Sequence, residues 1–235
     1  GYLEGPLLTD RVTFIAGVRR SYASWIVRRI DPDVSGTFEF TDAQAKVDAR
    51  VGTRQRLSLG LLAGTSAYDE RGRRTSANAL DVGENETAMG TLAWQAELGA
   101  HWVVRQRVAA ISSRYRNENP DALPLDTGTE HEWLSRSIVE WAPTPSVSVD
   151  GAAQVQRFAS RGASTVYHPT TRRPDSDVAH AGTQTLTGGH VHARWSPHRA
   201  VTLGGGLRAD RLHALETFVG GWAQAQVALS ADLAI

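Results

Sequence analysis

The chain has 235 residues, 22 of them glycine and seven tryptophan, with no cysteine, and its 25 basic and 25 acidic residues balance to a formal charge of zero. The lack of cysteine excludes disulfides, thiolate catalysis and cysteine-bound zinc, and neutrality removes any general attraction to nucleic acid or anionic lipid. No run of about 18 apolar residues offers a membrane-spanning helix, and the opening Gly1-Tyr2, without Met, basic segment or apolar leader, reads as the cut end of a longer protein.

Period-two alternation recurs along the chain and helical spacing is weak, so the sequence predicts strands and loops almost throughout. Val12, Phe14, Ala16 and Val18 share an apolar face against Thr13, Gly17 and Arg19. Ala43, Ala45, Val47, Ala49 and Val51 then oppose Asp42, Gln44, Lys46, Asp48 and Arg50. After a turn at Gly52 to Gln55, Leu57, Leu59, Leu61 and Ala63 oppose Arg56, Ser58 and Gly60. Leu92, Trp94, Ala96 and Leu98 follow against Gln95 and Glu97. In the next segment Val108 and Ala110 take the apolar face and Arg105 and Arg107 the polar one. Val139 and Trp141 oppose Arg136 and Glu140, and Val147, Val149, Ala153 and Val155 oppose Asp150, Gln154 and Gln156. Val191, Ala193 and Trp195 then oppose His190, His192 and Arg194, and Val201, Leu203 and Leu207 oppose Thr202, Arg208 and Asp210. Val227, Leu229, Ala231 and Leu233 end the series against Gln226, Ser230 and Asp232.

The connections alternate in length. Short turns are expected at Leu8 to Asp10, Gly52 to Gln55, Gly99 to His101, Ala142 to Ser146 and Ser196 to Arg199. Long polar segments are expected at Ser21 to Gly36, Asp69 to Ala88, Asn117 to Glu130, Ala159 to Gly182 and His213 to Gly221. Short turns at one end and long loops at the other are the pattern of an outer-membrane β-barrel. Trp102, Trp141 and Trp195 abut short turns on the apolar face, Trp94 and Trp133 share that face, and Tyr22 lies at the other end, as two interfacial aromatic girdles require. The expected fold is all-β, an antiparallel meander of about eleven strands forming part of a transmembrane barrel. A soluble sheet with one wet face has the same alternation, but an apolar face rich in Ala, Gly and Thr is thin material for a soluble core.

Several segments carry a family resemblance: Glu4-Gly5-Pro6-Leu7, Arg19-Arg20-Ser21-Tyr22, the strand Phe38 to Lys46, and Gly206-Leu207-Arg208. In order and spacing they resemble the first half of the barrel of TonB-dependent outer-membrane receptors. The resemblance implies a location in the outer membrane of a Gram-negative-type cell, contact with its lipid, and residues 1–235 forming one partial barrel domain. It also implies a plug domain of the parent chain, a TonB complex acting through that plug, and a scarce cargo: an iron-siderophore, haem, cobalamin or an oligosaccharide. The family's plug, TonB box and terminal aromatic residue are not in this sequence, which therefore reads as truncated at both ends.

No catalytic motif is present: there is no G-x-S-x-G, P-loop or H-E-x-x-H, so neither enzymatic activity nor a cofactor is expected. His190-x-His192 places two imidazoles on one strand face, as a chelate would, without a recognisable third ligand, and a solvated wall accounts for both. The carboxylates of the polar face are expected to pair with Lys46, Arg50, Arg136 and Arg208 across strands. Arg71-Gly72-Arg73-Arg74 and Arg172-Arg173 read as solvated loop charge. The candidates for contact with plug or ligand are Arg19, Lys46, Arg105, Arg107, Gln156, His190, His192 and Arg208. A passive porin and a soluble β-sandwich binding module are the alternative readings.

Overall fold

The computed structural model describes residues 1–9, 11–21, 23–30, 36–70, 76–213, 216–230 and 233–234. Tyr22, the Arg71 to Arg74 cluster, Ala231 and Asp232 lie outside them.

The chain is one sheet in which every strand pairs with its sequence neighbours: β1 (Tyr2–Thr9), β2 (Val12–Arg20), β3 (Thr37–Val51), β4 (Gln55–Asp69), β5 (Val82–Leu98), β6 (Trp102–Glu118), β7 (Pro124–Thr144), β8 (Val147–Tyr167), β9 (Pro174–His198), β10 (Val201–Leu212), β11 (Thr217–Ser230) and the two-residue β12 (Leu233–Ala234). All pairings are antiparallel. This is the expected meander. Three-residue turns close β3–β4 and β5–β6, and each opens on a glycine with positive φ, Gly52 at +66° and Gly99 at +74°, a conformation that strains any residue with a Cβ.

The register keeps each face of the sheet consistent from strand to strand. The pairings Leu59↔Leu92, Leu92↔Val108, Trp102↔Trp141, Trp141↔Val149, Val149↔Ala193 and Ala193↔Gly205 carry the apolar face from β4 to β10. That face is open: Leu61 is 55% exposed, Val191 57% and Leu207 69%. Among the described residues the buried hydrophobics are only Ala77, Val82, Ala96 and Tyr167, far too little for the interior of a sandwich. The leucines, valines and tryptophans of this face are thus turned outward as one continuous apolar band.

The height of the band agrees. Trp102 and Trp141 stack at 5.6 Å beside short turns, with Trp94 and Trp195 on the same face. Trp133 lies eight residues up β7 from Trp141. At about 3.3 Å per residue and about 40° of tilt that separation makes the band roughly 20 Å high, close to the ~25 Å apolar band of outer-membrane barrels.

The ends of the strands depart from expectation in two ways. First, Ala23–Ile30 forms a helix, α1, inside the first long connection. Ser24 holds it to the sheet, its hydroxyl donating to the Phe38 carbonyl at 2.8 Å and accepting from the Phe38 N–H at 2.9 Å. Second, the strands continue into segments expected as loops: β5 begins at Val82, β6 runs to Glu118, β7 starts at Pro124, and β8 and β9 meet across a connection of only six residues, 168–173. Above the apolar band both faces are polar, so alternation disappears from the sequence while backbone pairing persists.

Candidate functional site

All eight candidate residues face one way, opposite to the apolar band. The register places Arg19, across from Asp42, and Lys46 on this face of β2 and β3. Arg105 and Arg107 lie on it in β6, Gln156 in β8, His190 and His192 in β9, and Arg208 in β10. They are spread along the wall rather than gathered at a point.

Most are already engaged. Arg19 grips Asp42 through Nε at 2.9 Å and a terminal nitrogen at 2.8 Å, and its guanidinium lies 5.0 Å from the centre of the Phe40 ring. Arg105 bonds to Glu140 across the β6–β7 pair and donates to Gln95 at 3.3 Å. Gln156 donates to Glu132 at 2.7 Å. Lys46 and Arg208 find their carboxylates along their own strands rather than across, at Asp48 (2.8 Å) and Asp210, because residues two apart share a face and the charges there alternate i, i+2.

His190 and His192 share one carboxylate: Asp150 Oδ1 is 2.9 Å from His192 Nδ1, and Oδ2 is 3.5 Å from His190 Nε2. The Trp222 ring packs on His192 with centroids 4.9 Å apart. The pair is thus held to the wall through Asp150, by a hydrogen bond at His192, and braced by an aromatic that also faces inward and whose role sequence patterning did not reveal.

The expectation that Arg50 and Arg136 pair with carboxylates is not met among the described residues. Instead Arg136 stands directly opposite Arg107, and Arg50 opposite Arg56. Like charges at a cross-strand position are destabilising. Arg107 and Arg136, flanked on the same row by Ala93 and Gln154, form a bare positive step on the inward wall.

Higher on this face the charge reverses. Asp126, Glu130 and Glu132 line β7, and the rings of Tyr115 and His180 lie over Gly128 and Gly162, where an added Cβ would meet them at 2.6 Å. Burial first, then Asp126 and Glu130, hold the Tyr115 phenol above its usual pKa, so it is a neutral hydroxyl at pH 7.

The connections at this end are locked together. Asn119, 1% exposed, donates to the Ala77 carbonyl at 2.7 Å and accepts from the Asp121 and Leu123 N–H groups at 3.0 and 2.9 Å. Asn78 bonds reciprocally with the Tyr167 backbone at 2.8 and 2.7 Å. Arg172, expected as free loop charge, lies 3.4 Å from Asp121. Three connections therefore form one unit.

No protein-family model matches the sequence, and no characterised protein matches it by sequence. Solved structures match it by fold. A variant of the ferric enterobactin receptor PfeA from Pseudomonas aeruginosa aligns with TM-score 0.70 at 9% identity, over 98% of this chain and 38% of its own. The ferric-catecholate import receptor Fiu from E. coli, in its closed form, aligns with TM-score 0.64 at 12% identity, over 97% and 46%. The ferric yersiniabactin uptake receptor FyuA from Yersinia pestis gives 0.64 at 12%, over 98% and 42%. These are TonB-dependent outer-membrane receptors, and the chain has the fold of part of their barrel wall. It spans about a third to a half of the length of the solved structures it matches.

Proposed function

We propose that residues 1–235 are a barrel-wall portion of a TonB-dependent outer-membrane transporter, which takes up a scarce small molecule or metal chelate by active transport and catalyses no reaction. One observation carries the reading: a single register that turns an aromatic-edged apolar band outward and a charged wall inward. The membrane supplies the outer solvent, and a plug domain of the parent protein fills the inside. Cargo belongs to the classes named from the resemblance: iron-siderophore, haem, cobalamin or oligosaccharide. Siderophore is favoured by the import receptors that share the fold.

In this reading the eight inward candidates contact plug or cargo, and Arg107 with Arg136 is the strongest docking point. Among the described residues the pair has no counter-charge, so a plug carboxylate seated between the two guanidiniums gains charge-assisted bonds and relieves their repulsion. Replacing Arg136 with Gln should leave the wall unchanged or stabilise it by about 0.2–1 kcal/mol, followed by urea titration, while lowering uptake by the full protein. Impaired uptake together with a destabilised wall would assign the pair a structural role instead.

The function itself is tested in cells that depend on the full protein for iron, supplied with radiolabelled ferric catecholates, hydroxamates and haem. Uptake of at least one should be saturable and abolished by a protonophore that collapses the inner-membrane gradient. Uptake that persists without the gradient would indicate a passive porin.

A further inference from the structure

The outward face just above the apolar band carries a ring of charges that divides into two halves. On β2–β6 they neutralise one another: Arg20 pairs with Glu39 at 3.0 Å, Arg114 with Glu86 at 2.7 Å, and Arg116 with Glu118 at 2.6 Å. On β8 and β10, Arg157, Arg161 and Arg211 point outward, are exposed, and have no ion pair among the described residues. No carboxylate stands opposite any of them. Arg157 faces Trp133 and Thr185, Arg161 faces Thr129 and Ala181, and Arg211 faces Thr187 and Thr217.

Their height is set by the strands. Arg157 lies eleven residues beyond Ser146, Arg211 eleven beyond Ala200, and Trp133 eleven before Thr144. All three therefore sit at one level, roughly 28 Å above the short turns at about 3.3 Å per residue and about 40° tilt, where the apolar band ends. Arg161, four residues further along β8, stands about 10 Å higher. Arg157 and Arg211 flank β9, opposite Thr185 and Thr187; two strand spacings and two residues of rise put them about 12 Å apart. Directly beneath are the bare apolar surfaces of Val155, Val191 and Leu207.

We propose that the outward face of β8–β10 binds the phosphorylated headgroup of an outer-leaflet lipid, with Arg157, Arg161 and Arg211 on its phosphates and its acyl chains on Val155, Val191 and Leu207. The proposal rests on the membrane reading above. Guanidinium forks match phosphate oxygens bidentately, and the arginine stems lie on apolar surface while their heads reach the interface. Trp133 prefers the same depth, and Thr185 and Thr187 add hydroxyls between the cations. The unpaired cations select the anion; the apolar surface below selects an anion attached to acyl chains over free phosphate. Since paired charges occupy the equivalent level of β2–β6, the lipid is held on one side of the wall only.

The test uses the full protein in an uncharged detergent, titrated with bis-phosphorylated lipid A and with the same lipid after removal of its phosphates, bound lipid being counted by native mass spectrometry. The phosphorylated form should bind at least tenfold more tightly, and millimolar inorganic phosphate should not displace it. Arg157→Gln, Arg161→Gln and Arg211→Gln together should weaken binding on the order of 100-fold, from about fivefold per arginine near a membrane surface. The paired control, Arg114→Gln with Glu86→Gln, should stay within about threefold of the parent. Equal binding of both lipid forms, displacement by inorganic phosphate, or a triple variant matching the control would each overturn the proposal. The lipid comparison needs no variant, so a folding defect cannot shelter it. Insertion into neutral phosphatidylcholine vesicles separates the two claims: a protein that inserts but ignores lipid A phosphates refutes only this site, and one that does not insert refutes the membrane reading as well.

Discussion

Leu59→Arg is expected to cost the folded protein about 2–4 kcal/mol in lipid vesicles, because it forces a guanidinium into the middle of the apolar band. Leu59 is 44% exposed on the outward face, with Leu92 and Val47 beside it on the neighbouring strands. Ser58→Arg, one residue away, turns inward toward Asp48, which already bonds the Ser58 hydroxyl. There an arginine meets water and a carboxylate, and the expected change is within about 0.5 kcal/mol. Urea titration followed by the mobility shift of folded protein in unheated gels measures both. Equal costs at the two positions would mean that the faces are not lipid and water.

Asn119→Ala should release the interlocked connections while sparing the wall that carries the apolar band. The substitution removes one donor and two acceptor contacts from a fully enclosed site, leaving the Ala77 carbonyl and the Asp121 and Leu123 N–H groups without that partner. At about 1–3 kcal/mol for each buried group left unsatisfied, with water entering to recover part of it, a local loss of about 3 kcal/mol is expected. Hydrogen exchange should show Asp121 and Leu123 losing protection by roughly 100-fold, together with Tyr167, whose partner Asn78 adjoins Ala77. Strand amides near Leu59 and Val149 should be unchanged. Loss of protection confined to residues 119–123 would mean that the three connections are independent.

The wall was legible in the sequence because its two faces differ so sharply. Between Gly52 and Leu61, or Val147 and Val155, each side chain faces either the apolar band or the polar interior, and the period-two signal is written by that contrast. Where the contrast ends, so does legibility. Residues 159–182 read as a loop although most of them are paired strand, because a hairpin that is polar on both sides has no face to mark. Helix α1 was missed for a different reason: eight residues make little more than two turns, too few for a 3.6-residue period to stand out, and Ser24 fixes it through a contact with Phe38 fourteen positions away.

Alternation alone puts the eight candidates on one face, opposite the apolar band, since face depends on parity and not on detail. Their partners were less accessible. That Lys46 turns to Asp48 and Arg105 to Glu140 depends on rotamers, and that Arg107 meets Arg136 depends on the β6–β7 register, set by the length of the 119–123 connection. Asp150 could be named as a polar-face carboxylate but not as the shared partner of two histidines, and nothing in the pattern distinguished inward Trp222 from the outward tryptophans. Only its even-numbered place on β11 separates it, opposite Gly206.

Spin labels read directly which solvent each face of a strand meets. Cysteine substituted singly at positions 57 to 65 creates unique labelling sites, the native chain having none. In phosphatidylcholine vesicles, labels at 57, 59, 61, 63 and 65 should be relaxed by oxygen, which concentrates in lipid, and labels at 58, 60, 62 and 64 by a water-soluble nickel chelate, with a period of two along the whole strand. Labels on both faces responding alike to the nickel chelate would place the sheet in water and contradict the barrel-wall reading.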